Sequence, residues 1–160
     1  YSEVIGIKDR AYIFGAGHIS LPLTHILSLL DFWVEVYDNR KELVTFTSNN
    51  LANKKEVIDF DNASKYVMEG NSTYCLIMTF GHKFDEMILR QLLPLKVGYI
   101  GMIGSKSKVK AIFDNLLKEG YSPDQLAKVC SPVGLPIGSQ TPAEIAVSIA
   151  AQIVQWRNGL

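Results

Sequence analysis

Residues 11–20 read Ala-Tyr-Ile-Phe-Gly-Ala-Gly-His-Ile-Ser, residues 32–40 read Phe-Trp-Val-Glu-Val-Tyr-Asp-Asn-Arg, and the relation between the two decides the fold. Ala11–Phe14 is a short apolar run stopped by Gly15, the pattern of a buried strand. From Gly17 to Leu30 the apolar residues Ile19, Leu23, Ile26, Leu27 and Leu30 fall at helical spacing, and Phe32–Tyr37 predicts a second strand ending at Asp38. A glycine turn between a strand and a helix is how a dinucleotide fold receives phosphate. Gly15 allows the tight turn, Gly17 lets backbone approach the ligand, and the amides and dipole at the helix head, around His18, attract negative charge. Ser20 stands where that fingerprint has its third glycine, and Pro22 is tolerable only near a helix start. Asp38 follows Gly17 at the interval expected of a ribose-binding acid, while Arg40 suits a 2′-phosphate.

Working outward, Glu56–Phe60 predicts a third strand and Asn62–Glu69 a helix. Thr73–Phe80 (TYCLIMTF) has the unbroken hydrophobicity of a central parallel strand covered on both faces. Further elements are expected at Phe84–Leu93 (helix), Val97–Ile103 (strand), Ser105–Glu119 (helix) and Thr141–Arg157 (helix). Strands alternating with helices imply a Rossmann-like α/β domain, an open, mostly parallel, doubly wound sheet over residues 11–160. Residues 1–10 read as a leader or linker. The chain opens on Tyr1 rather than Met, which predicts processing or a longer parent.

Composition bounds the function. The chain has 160 residues, 48% hydrophobic and 20% charged, with sixteen basic residues matched by sixteen acidic ones. No global field would draw in nucleic acid or an anionic membrane, so any anion site must be local. Two cysteines make no disulfide framework, and no Cys/His cluster has metal spacing. Cys75 reads as core; Cys130 falls in a loop-like stretch. With no apolar run able to span a bilayer and no signal peptide, a cytoplasmic location is expected.

Three further patches could carry chemistry. Gly101-Met-Ile-Gly104-Ser105-Lys106-Ser107-Lys108 crosses from strand to helix, with Ser105 as N-cap and two lysines where the helix dipole disfavours cations, an arrangement that makes sense if an anion binds. Gly81, His82 and Asp85 follow the central strand, whose carboxyl end faces the ligand crevice. Thr141-Pro-Ala-Glu144 forms a capping box that explains itself without a ligand. The loop before it, Ser131–Ser139, fixes its course with Gly134, Gly138 and two prolines, as site-lining loops often do.

In this order the stretches YIFGAGHIS, VYDNR, MTFGHKFD, YIGMIGSKSK and SPVGLPIGSQTPAEIAVSIAAQI resemble the C-terminal Rossmann domain of the XdhC/CoxI family, accessory factors of xanthine and carbon monoxide dehydrogenases. The resemblance implies a maturation factor that binds a molybdopterin-type cofactor, protects its sulfurated form and helps insert it into a hydroxylase. A cysteine desulfurase and the apo molybdenum hydroxylase are the implied partners. It also implies a missing N-terminal domain carrying cysteine motifs. Gln152 departs from the acidic residue common at its position. The alternatives are an NAD(P)-dependent oxidoreductase, with Gly15, Gly17 and Asp38 on the dinucleotide and His82 as acid/base, or a cofactor-free interaction module. No catalytic residue emerges. Trp156 and the apolar final helix make a homodimer plausible.

Overall fold

A computed structural model describes residue 6 and residues 8–160, so the expected leader lies largely outside the described residues. Six parallel strands form one sheet: β1 (Arg10–Phe14), β2 (Trp33–Asp38), β3 (Lys54–Val57), β4 (Gly70–Ile77), β5 (Val97–Met102) and β6 (Val129–Cys130), in the order β3-β2-β1-β4-β5-β6. The chain winds one way from β1 to β3 and the other way from β4 to β6. The switch point therefore falls between β1 and β4, where an open parallel sheet leaves its crevice.

The period-2 alternation of β1 shows why both faces are covered. Tyr12 and Phe14 point to one face, packing with Tyr37, Cys75 and Ile77 against α3 (His82–Leu92), α4 (Lys106–Lys118) and a 3-10 helix at Phe60–Tyr66. Ala11 and Ile13 point to the other, packing with Val34, Val36 and Leu76 against α1 (Ser20–Leu29) and α6 (Pro142–Arg157). Two short helices complete the chain, α2 (Val44–Thr47) and α5 (Pro123–Ala127).

The expected strands and main helices are present, with shifts that matter for the crevice. The central strand ends at Ile77, three residues earlier than its hydrophobicity predicts, so Met78, Thr79 and Phe80 leave the sheet. Gly81 then serves as N-cap, and α3 starts at His82 rather than Phe84. The third strand lies at 54–57, earlier than expected and with no buried residue, which is why no apolar run marks it. The helix expected at 62–69 is the 3-10 helix, broken by non-helical angles at Asn62. Pro22 is the third residue of α1, where its missing N–H costs no intrahelical bond. The expected box at Thr141 is present: its hydroxyl accepts from the Glu144 amide at 3.2 Å and Glu144 accepts from the Thr141 amide at 3.0 Å.

On the final helix Ala146, Ile149, Ala150 and Ile153 pack inside the domain, while Val147 and Trp156 remain exposed, the Trp156 indole donating to the Gly98 carbonyl at 2.9 Å.

One close backbone approach fixes the β1/β4 junction at the switch point. Gly15 has φ +115°, and a Cβ there would lie 2.2 Å from the Met78 carbonyl oxygen. Gly15→Ala therefore incurs both left-handed strain and a backbone clash at the β1/β4 junction, together costing roughly 2 kcal/mol or more. Gly17 has nothing within 4 Å of a built Cβ. Thermal denaturation should show a large drop in Tm for Gly15→Ala and almost none for Gly17→Ala; equal effects would refute this account of the junction.

Candidate functional site

The crevice is built from the turn after β1. The Gly15 amide donates to the Tyr37 carbonyl at 2.8 Å, and the Ala16 amide donates to Asp38 Oδ2 at 2.7 Å. The Thr45 hydroxyl holds the Ala16 carbonyl. Ser20 turns its hydroxyl back onto the Gly17 carbonyl at 2.7 Å, so a buried serine fits where the fingerprint has glycine. These bonds leave Gly17, His18 and Ile19 unused: among the described residues no acceptor takes their amides, and α1 has no side-chain cap. They line a cleft of about 290 Å³ with Gly15, Ser20, Met78, Gln140, Pro142 and Ile145. Orphan amides at a helix head can receive negative charge.

Asp38 does not play the part expected of it. Its side chain is fully buried, and both oxygens are taken: Oδ2 by Ala16 and the Arg40 Nη2, Oδ1 by the Arg40 amide and Nε, all at 2.7–2.9 Å. Burial pushes this carboxyl up, but the hydrogen bonds from Arg40 and Ala16 outweigh it and hold it below the ordinary carboxylate value. The Arg40 guanidinium is held above its own, chiefly by the same bonds. No oxygen of Asp38 is left for a ribose. Arg40, part-exposed, lies 4.3 Å from the Phe80 ring centroid and keeps Nη1 free of protein acceptors among the described residues.

The second glycine turn is closed. Ser105 caps α4 as expected, accepting from the Lys108 amide at 3.3 Å. Lys108, however, is not free. Its ammonium pairs with Asp85, and its stem lies over Gly104, where a Cβ would meet Lys108 Cδ at 2.9 Å. Asp85 is itself fully buried and accepts from the Thr79 amide and hydroxyl at 3.0 and 2.6 Å. The dipole-opposed charge of Lys108 thus has an internal partner, and Asp85 is a structural anion. Lys106 is exposed, with no ion pair among the described residues.

The other candidates scatter. His18 is exposed at the α1 cleft, whereas His82 lines a separate groove between α3 and α4 with Glu86, Arg90 and Asn115. Gly101 packs under Val133, whose Cγ2 lies 2.6 Å from a built Cβ, so it serves the sheet rather than a ligand. Gly134 (φ +102°) abuts Ser148, and its amide donates to Gln152 Oε1 at 3.0 Å. Gln152 also accepts from the Tyr99 hydroxyl at 2.7 Å, which pins the loop to α6 and β5. Gly138 stands open on the exposed loop. Cys130 lies on β6 rather than in a loop, and burial pushes its thiol up, away from the reactive thiolate. Cys75 is fully buried and pushed up further. Sequence reasoning missed Phe80, Gln140 and Ile145; the first was hidden inside an apolar run read as strand, the others inside a cap that explained itself.

Two outcomes follow from the buried charges. Lys108→Ala strands a buried carboxylate and should cost roughly 3 kcal/mol, read by urea denaturation, while Lys106→Ala should cost almost nothing. Asp38, with its pKa lowered in the fold, contributes stability above about pH 4 that is lost as pH falls through the folded-state value. Asp38→Asn should be less stable at pH 7 and lose less of its remaining stability between pH 5 and pH 2 than the natural protein; identical acid profiles would refute the assignment.

The comparisons with known proteins agree with this architecture. Residues 11–153 match the XdhC Rossmann domain family. The uncharacterized protein YqeB of Escherichia coli is 28% identical over 161 residues, and a probable xanthine dehydrogenase subunit of Bacillus subtilis is 29% identical over 162. The chain spans only 29% and 43% of those two relatives. A crystal structure described as a xanthine dehydrogenase from Bacillus halodurans superposes with a TM-score of 0.77 at 35% identity, covering 94% of this chain and 43% of that one. With a β1–α1 glycine turn, a six-stranded parallel sheet and a match running from Ala11 to Ile153, the chain belongs to the XdhC Rossmann domain family.

Proposed function

We propose that this domain is the cofactor-holding part of a cytoplasmic accessory factor for a molybdenum hydroxylase of the xanthine dehydrogenase type. It receives the phosphate end of a molybdopterin-type cofactor at the head of α1, for sulfuration and insertion into the apo-enzyme. A cysteine desulfurase, the apo-hydroxylase and an N-terminal domain complete the system. The observation that carries this reading is the open anion receptor: three orphan amides, Gly17 to Ile19, over a cleft with room for backbone-close approach at Gly17. The xanthine dehydrogenase names of two relatives support the choice of cofactor. No helix among the described residues is long and apolar enough to cross a membrane.

An NAD-dependent dehydrogenase would use the same turn, but it needs an acid at the end of β2 to take the ribose hydroxyls. Asp38 is buried and committed to Ala16 and Arg40, which counts against that reading. Anaerobic calorimetric titration distinguishes the two. Molybdopterin or its nucleotide form should bind at least tenfold more tightly than NADH, with Gly17→Val weakening binding tenfold or more. Tighter binding of NADH would overturn the proposal.

A further inference from the structure

Phe80 is 59% exposed at the carboxyl edge of the sheet, an unusual place to leave a large aromatic ring in water. It is not isolated. The Arg40 guanidinium lies over it at 4.3 Å, and Phe84 supports it from within at 5.4 Å. Arg40 is in turn clamped through Nε and Nη2 to the two oxygens of buried Asp38, which fixes the plane of the guanidinium. A planar cation with one face on an aromatic ring and part of its surface in solvent can stack a second planar ring. Asp38 Oδ2 also holds the Ala16 amide, so the shelf and the turn that leads into Gly17–Ile19 share one anchoring atom.

We infer that Arg40 and Phe80 form a stacking shelf for the planar heteroaromatic ring, pterin or nucleobase, of the ligand whose phosphate occupies the head of α1. The inference rests on the cofactor reading above and adds which residues select the ring. Arg40 is the stacking surface, and Phe80 is the residue that positions it.

The test titrates the protein with three probes: inorganic pyrophosphate, cytidine diphosphate and a neopterin phosphate, the last followed by its own fluorescence. Phe80→Leu and Arg40→Lys should each weaken a ring-bearing probe roughly tenfold, in line with a lost stacking contact, while changing pyrophosphate affinity less than Arg40→Ala does. Quenching of the pterin on binding should diminish in both variants, a signal that a purely structural role for Phe80 would not move. Loss of affinity confined to the pterin or to the nucleotide identifies which ring the shelf takes, and either supports the inference. Ring-bearing probes that bind both variants as well as the natural protein overturn the shelf. Pyrophosphate binding as tightly as either ring-bearing probe overturns it too, but leaves the anion receptor standing. No binding of any probe overturns both.

Discussion

The carboxylate of Asp38 is the point on which this crevice depends. It stands at the end of β2 with no exposed surface, and taking a charge so far from water is tolerable only when every lone pair is used. Ala16 and Arg40 use them. The first bond fixes the β1–α1 turn, and through it the direction in which the amides of Gly17, His18 and Ile19 point. The second fixes Arg40 over Phe80. One buried charge therefore fixes both the glycine turn and the planar cation, two features that look unrelated along the chain.

Asp85 plays an analogous part on the far side of β4, with a different result. It too is buried, in the first turn of α3 just beyond the end of a strand, and satisfied by local donors, the Thr79 amide and hydroxyl, and by one cation. Its cation is a lysine, however, a point charge consumed by the pair, and the lysine stem fills the space over Gly104. An arginine clamped edge-on to a carboxylate still has its planar faces available; an ammonium pointed into one does not. That chemical difference leaves the first turn open and the second shut. The crevice is one-sided, centred on β1 and β2 rather than spread evenly between two glycine turns.

Much of this was legible in the residues. The apolar run at 11–14, the glycines at 15 and 17 and the acid at 38 are set by backbone geometry and by the length of a βαβ unit, so pattern alone places them. Pattern could not say what Asp38 bonds to, because an acid facing a ribose and an acid facing an arginine two residues on have the same spacing. Nor could it separate Lys106 from Lys108: neighbours on a first turn look alike until a buried Asp85, contributed by another helix, claims one of them. The end of β4 was misplaced because Met78, Thr79 and Phe80 continue the apolar run, though hydrophobicity there serves the crevice rather than the sheet. β3 was displaced and β6 escaped notice because an edge strand of two to four residues is held by pairing with its neighbour, not by its own sequence.

The far wall of the cleft comes from a part of the chain that has no glycine fingerprint. Gln140, Pro142 and Ile145 face the α1 head across the cleft, and their position is set by α6 and by the loop before it. That loop is tied down by Gln152, whose amide oxygen accepts from both the Gly134 N–H and the Tyr99 hydroxyl. A carboxylate at this position could accept the same two bonds, whereas Gln152 makes the tie without placing a negative charge on the underside of the loop. The cleft thus has one wall fixed by a buried ion pair and the other by a neutral amide. A wall without charge of its own leaves the orphan amides of α1 as the feature that would orient the proposed cofactor.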